Sequence, residues 1–100
     1  MIENQRYTYM AKVMKAMAHP TRLFILDELD KGPRNVSEFT QLVGIDMSTM
    51  SRHLAVLKHA GIISAEKNNN QMIYSLLCPC VLDVYKCVVD MKEKEDQNES

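Results

Sequence analysis

One hundred residues make a single domain, and a chain that short buries only a modest core. Twelve Lys and Arg against thirteen Asp and Glu give a net charge of −1, so bulk charge does not announce a nucleic-acid binder. No apolar run nears the length of a bilayer span, and no secretory leader pattern opens the chain, which predicts a cytoplasmic protein with no membrane partner. The odd count of three cysteines argues against a disulfide scaffold and for free thiols, soft-metal ligands or redox chemistry.

Met10, Val13, Met14 and Met17 recur at three- and four-residue steps and predict an amphipathic first helix, closed by His19-Pro20. Thr21 and Arg22 open a second helix through Leu29, with Leu23, Ile25 and Leu26 as core candidates, ended by Lys31-Gly32-Pro33. A short helix over Val36–Val43 leads through Gly44-Ile45-Asp46 into a longer one ending before Gly61. Ser48 and Thr49 are N-cap residue types, and Ile45, Met50, Leu54 and Leu57 form its buried face. Helix, tight Gly-containing turn and helix is the helix-turn-helix order. Residues 62–67 and 71–76 read as two strands around Asn68-Asn69-Asn70, residues that tolerate positive φ, and this hairpin adds a wing. Pro79 suits the first turn of a last helix running to about Glu93, whose apolar residues cover more than one face and therefore need both a core and a partner. The fold class is mostly α with a small β-hairpin, an α+β winged helix-turn-helix. Residues 1–92 form the DNA-binding and dimerisation domain and residues 93–100 a disordered acidic tail.

Charge is placed unevenly. Arg52, Lys58 and Lys67 face Glu66 alone between Met47 and Met72, while Glu93, Glu95, Asp96 and Glu99 crowd the tail. A locally positive reading head on an acidic body can still contact phosphates. The candidate contacts to double-stranded operator DNA are Ser48, Thr49, Ser51, Arg52 and His53 near the start of the second helix of the pair, with Lys58 further along. Gln41 on the preceding helix and Lys67 in the wing join them.

Two ordered motifs carry a resemblance: Met17-Ala18-His19-Pro20-Thr21-Arg22-Leu23-Phe24-Ile25-Leu26, then Ser48-Thr49-Met50-Ser51-Arg52-His53-Leu54-Ala55-Val56-Leu57-Lys58-His59-Ala60-Gly61-Ile62-Ile63. Together they resemble the ArsR/SmtB family of repressors across residues 10 to 90. The resemblance implies a winged-helix homodimer built from the first and last helices, with His19-Pro20 in a capping role. It also implies a wing that contacts DNA. Where the family often carries Arg and Gly at the wing tip, however, this chain has Lys67-Asn68-Asn69-Asn70-Gln71.

The cysteines bear on the effector. The family's founding arsenic site places Cys-Val-Cys on the first helix of the pair, where this chain reads Asn35-Val36-Ser37. Its zinc site needs paired Asp and His on the last helix; Asp83 is present, but Tyr85 replaces the His. What remains, Cys78-Pro79-Cys80 with Cys87 two turns on, resembles members that sense trivalent arsenic or antimony through last-helix thiols. Soft thiolates suit As(III), Sb(III) and other soft metal ions. Along a helix, Cys80 and Cys87 stand about 10 Å apart, whereas sulfurs sharing one ion at about 2.3 Å bonds must nearly touch. Binding therefore uses Cys78 with Cys80, bridges to Cys87 across a dimer, or unwinds the first turn.

The reading is a homodimeric DNA-binding repressor that needs no cofactor to bind its operator and is released by As(III) or Sb(III) at Cys78, Cys80 and Cys87. Two alternatives keep the fold: a thiol redox or persulfide sensor, and a protein-interaction module without ligand response. A third account of the thiols is simple packing in a dimer interface. No phosphate loop or nucleophile–base pair suggests an enzyme.

Overall fold

The computed structural model describes residues 5–97. Five helices and three short strands follow in the order α1 (Gln5–Met17), α2 (Pro20–Leu29), β1 (Arg34–Asn35), α3 (Val36–Val43), α4 (Met47–His59), β2 (Ile63–Asn68), β3 (Gln71–Leu76) and α5 (Val81–Gln97). Among the described residues no helix is long and apolar enough to cross a membrane.

Local chemistry sets the helix starts. Pro20 occupies the first turn of α2, and His19 caps it by accepting a 3.0 Å hydrogen bond at Nδ1 from the Thr21 N–H. Asn35 and Glu38 form a reciprocal capping box on α3: Asn35 Oδ1 accepts from the Glu38 N–H at 2.9 Å, and Glu38 Oε1 accepts from the Asn35 N–H at 3.0 Å. Gly44, at φ 82°, ends α3 in the left-handed region that a side chain disfavours and turns the chain into α4. The cap of α4 corrects the sequence reading. Asp46, not Ser48 or Thr49, is the N-cap, its Oδ1 accepting from the Thr49 N–H at 2.7 Å. Hydrogen bonds from the Thr49 side chain and backbone hold the Asp46 carboxyl below its ordinary value.

The core gathers Ile25 and Leu26 from α2, Phe39 from α3 and Met50, Leu54 and Leu57 from α4, all completely buried. Ile62 and Ile63 close it at the start of the wing, and Leu82 of α5 seals one side. Glu28 is the buried charged residue of this region, held by Arg34 at 3.0 Å and Lys31 at 3.1 Å; Arg34 also reaches Glu38 at 3.3 Å. One guanidinium thus ties the end of α2 to the start of α3, its two Nη groups each reaching a different carboxylate, a bridge that the forked Arg head suits.

β2 and β3 pair antiparallel in the register Ala65↔Tyr74, with Asn69 and Asn70 at φ 50° and 68° making the two-residue turn. β1 joins the far edge of β3 through Arg34↔Tyr74, so the sheet has three strands in the order β1-β3-β2 rather than a bare hairpin. The last helix starts at Val81, after a turn in which the Val81 N–H donates to Cys78 O and the Leu82 N–H to Pro79 O. It also runs on through Gln97, so residues 93–97 of the expected disordered tail are helical and residues 98–100 lie outside the described residues.

Replacing Phe39 with Ala should cost about 3–5 kcal/mol, read by urea denaturation at fixed protein concentration, because it empties the centre of the core. Asp46→Ala should lower the melting temperature at neutral pH. A carboxyl whose folded pKa lies below its unfolded 3.8 contributes stability above that value and loses it as pH falls through the folded pKa. The gap between the two proteins should therefore narrow as pH falls below 3.8.

Candidate nucleic-acid interface and thiol segment

α3 and α4 pack at their common turn, which leaves the outer face of α4 free. On that face Ser48, Ser51 and Arg52 stand at i, i+3 and i+4, all exposed, and Lys58 is exposed towards the other end. Gln41 is exposed on α3, and Lys67 is exposed next to the wing tip. These six side chains form a polar and basic surface spanning the helix pair and the wing. Hydroxyls and amides can bond phosphates or base edges there, and a guanidinium can bond a guanine edge twice. The hairpin tip itself, Asn68 to Gln71, is exposed and uncharged.

Two expected contacts are placed differently. Thr49 is half-buried, its N–H taken by the Asp46 cap. His53 is half-buried and turned inward, its Nδ1 accepting from Arg22 Nε at 3.2 Å and its ring 4.5 Å from that of His19. The reason is spacing. His53 lies three residues after Met50 and four before Leu57, so it borders the buried stripe of α4 instead of the outer face. Burial and the neighbouring His19, Arg22 and Arg52 disfavour its charged form and hold its pKa below the usual imidazole value. The sequence places Arg22 at the start of α2 but carries no local signal of its bonds, because its partners are the Ala16 carbonyl and a ring on another helix.

Cys78, Cys80 and Cys87 are all free and exposed. Cys78 and Cys80 share the turn that precedes α5, where the Asp83 N–H donates to Cys80 O at 3.1 Å, and Cys87 lies further along the helix. Among the described residues of one chain, no three His, Cys, Asp or Glu side chains come together to hold a metal ion. The helical rise explains it, since seven residues separate Cys80 from Cys87. None of the three lines the apolar groove between α1 and α5, a space of about 610 Å³ bounded by residues such as Met10, Met14, Val84 and Val88.

A family described as a helix-turn-helix domain matches residues 17–64, which span α2, α3 and α4. The transcriptional regulator Rv0081 of Mycobacterium tuberculosis is 37% identical over 79 residues, covering 78% of this chain and 69% of that protein. Its crystal structure superposes with a TM-score of 0.81 at 30% identity, over 96% of this chain and 97% of the other. The transcriptional repressor BigR of Xylella fastidiosa superposes with a TM-score of 0.76 at 29% identity, over 87% and 89%. The homodimeric winged helix-turn-helix DNA-binding domain of Mb0332 from Mycobacterium bovis does so at 0.81 and 25%, over 99% and 96%. With the resembling motifs seated on the elements that the family requires, the chain belongs to the ArsR/SmtB family of winged helix-turn-helix transcriptional regulators.

Proposed function

We propose that the protein is a homodimeric repressor that reads operator DNA with α4 and releases it when a thiophilic ligand engages the cysteines at the start of α5. The observation that carries the DNA half is the outer face of α4. Ser48, Ser51 and Arg52 project from a helix whose opposite stripe, Met50, Leu54 and Leu57, is wholly buried. That is how a reading helix is held rigid against a duplex. Gln41, Lys58 and Lys67 extend the same surface and supply phosphate contacts.

The dimer half rests on the groove. Tyr9, Met14, Val84 and Val88 remain more than half exposed in the single chain, an apolar surface that water disfavours and that a second copy would cover. BigR is a repressor and the Mb0332 domain a homodimer. The same arrangement here places two reading helices about one DNA turn apart on an imperfect palindrome.

For the effector, Cys78 and Cys80 are exposed on one turn and can hold As(III) or Sb(III) as thiolates, with Cys87 of the same or the second chain completing the set. Such a ligand pulls on the start of a dimer-forming helix, and couplings of about 1–3 kcal/mol, roughly 5- to 150-fold in DNA affinity, are usual for such switches. The second reading, thiol oxidation or persulfidation, draws on the absence of a three-group cluster among the described residues of one chain: two exposed thiols suffice for it.

The test is fluorescence anisotropy of the reduced protein on DNA from upstream of its own gene. Binding should weaken steeply with added salt, and stoichiometric arsenite should release it. Salt-insensitive or absent binding would support the protein-interaction module instead. Release by peroxide or polysulfide with indifference to arsenite would move the cysteines to redox sensing. In the same assay Arg52→Ala should weaken binding about tenfold. Cys80→Ser should bind DNA as the parent does but no longer respond to arsenite, and a full response would remove the cysteines from the effector site.

A further inference from the structure

Arg22 makes two hydrogen bonds to elements other than its own helix. Its Nη1 donates to the Ala16 carbonyl at 3.0 Å, one of the carbonyls left unsatisfied at the end of α1, where a cation also suits the helix dipole. Its Nε donates to Nδ1 of His53 at 3.2 Å. One planar guanidinium therefore links the end of the helix that lines the dimer groove to the middle of the helix that reads DNA. The His19 ring packs tilted against that of His53, with centroids 4.5 Å apart and planes at 47°. Because the His19 Nδ1 is engaged by the Thr21 N–H, that ring is fixed in place.

An imidazole nitrogen that accepts a hydrogen bond carries no proton, so His53 serves this link only as the neutral form protonated on Nε2. A proton on Nδ1 would set N–H against N–H across 3.2 Å, one of them on a permanent cation. The titratable and charged groups bearing on His53 are His19 and Arg22 from α2 and its cap, with Arg52 from its own helix; α1 reaches it through the Ala16 carbonyl that Arg22 holds. Among the described residues no carboxylate bears on His53 to compensate the added charge.

We propose that Arg22 is a positioning residue for DNA reading. It clamps neutral His53 on α4 to the last turn of α1, so that reading helix and dimer helix keep one relative placement, and a proton on His53 releases the clamp. The proposal rests on α4 being the reading helix. Its signature has an unusual sign. Acid makes a protein more positive and ordinarily strengthens its hold on phosphates, whereas release of the clamp weakens binding.

The experiment is anisotropy on the same DNA at constant ionic strength, paired with NMR titration of the His53 imidazole without DNA. The unmodified protein should lose affinity as pH falls below the usual imidazole value of 6.5, approaching about tenfold where the NMR titration shows His53 fully protonated, the scale set by one hydrogen bond to a charged group. His53→Gln, which can accept from Arg22 but cannot titrate, should show no such acid loss. Arg22→Met should bind about tenfold more weakly already at about pH 8, and Arg22→Lys, which keeps the charge without the fork, should not restore it. In the NMR titration His53 should protonate at higher pH in Arg22→Met than in the unmodified protein. Equal acid loss in His53→Gln, or restoration by Arg22→Lys, would overturn the proposal. If no variant binds DNA at any pH, the reading of α4 fails. The clamp is then judged by the NMR midpoints alone, and equal midpoints would overturn it too.

Discussion

The stripe Met50, Leu54 and Leu57 is the constraint from which the rest of the molecule follows. α4 has to bury that stripe against α2 and α3, and once it does so, every other face of the helix is assigned: an outer face in solvent, and a flank that meets His19 and Arg22. Apolar burial of this kind is non-directional. Direction comes from the polar fittings around it, namely the Asp46 cap, the left-handed Gly44 and the link between Glu28, Arg34 and Glu38 that ties the end of α2 to the start of α3. Stability and presentation of the reading face are therefore one property of the same few side chains.

Most of this architecture is legible along the chain because its determinants are local. The period of Met50, Leu54 and Leu57, the break at His19-Pro20 and the asparagines of the turn each act within a few residues, and the corresponding elements stand where those signals put them. What is not legible depends on neighbours distant in sequence. The strand Arg34–Asn35 exists only because β3 offers it an edge, and two residues carry no periodicity of their own. The inward turn of His53 is half legible: its spacing to Met50 and Leu57 was available, but the partner that receives it, Arg22, is not. Ser48 and Thr49 compete with Asp46 for the cap from two and three residues further on, and capping strength alone does not separate these residue types.

The interface and the thiol segment sit at opposite ends of this chain of cause. The outer face of α4 is built by a finished core. The turn Cys78 to Cys80 is exposed, joined to the core chiefly through Leu82 just beyond it, and its backbone bonds are those of a single helical turn. Segments with few buried contacts are the ones that yield first, so chemistry at these thiols acts on the part of the fold least committed to one geometry.

α5 makes that position matter. It is 17 residues long, about 25 Å, yet Leu82 near its start is its buried residue. The helix is thus a rod held at one end, with the thiol turn beside the fulcrum. A tilt of about 10° there carries the far end through about 4 Å, roughly the width of a side chain. On the proposed reading, a change confined to two or three sulfur atoms would thus become displacement on the scale at which packed helices either mesh or do not.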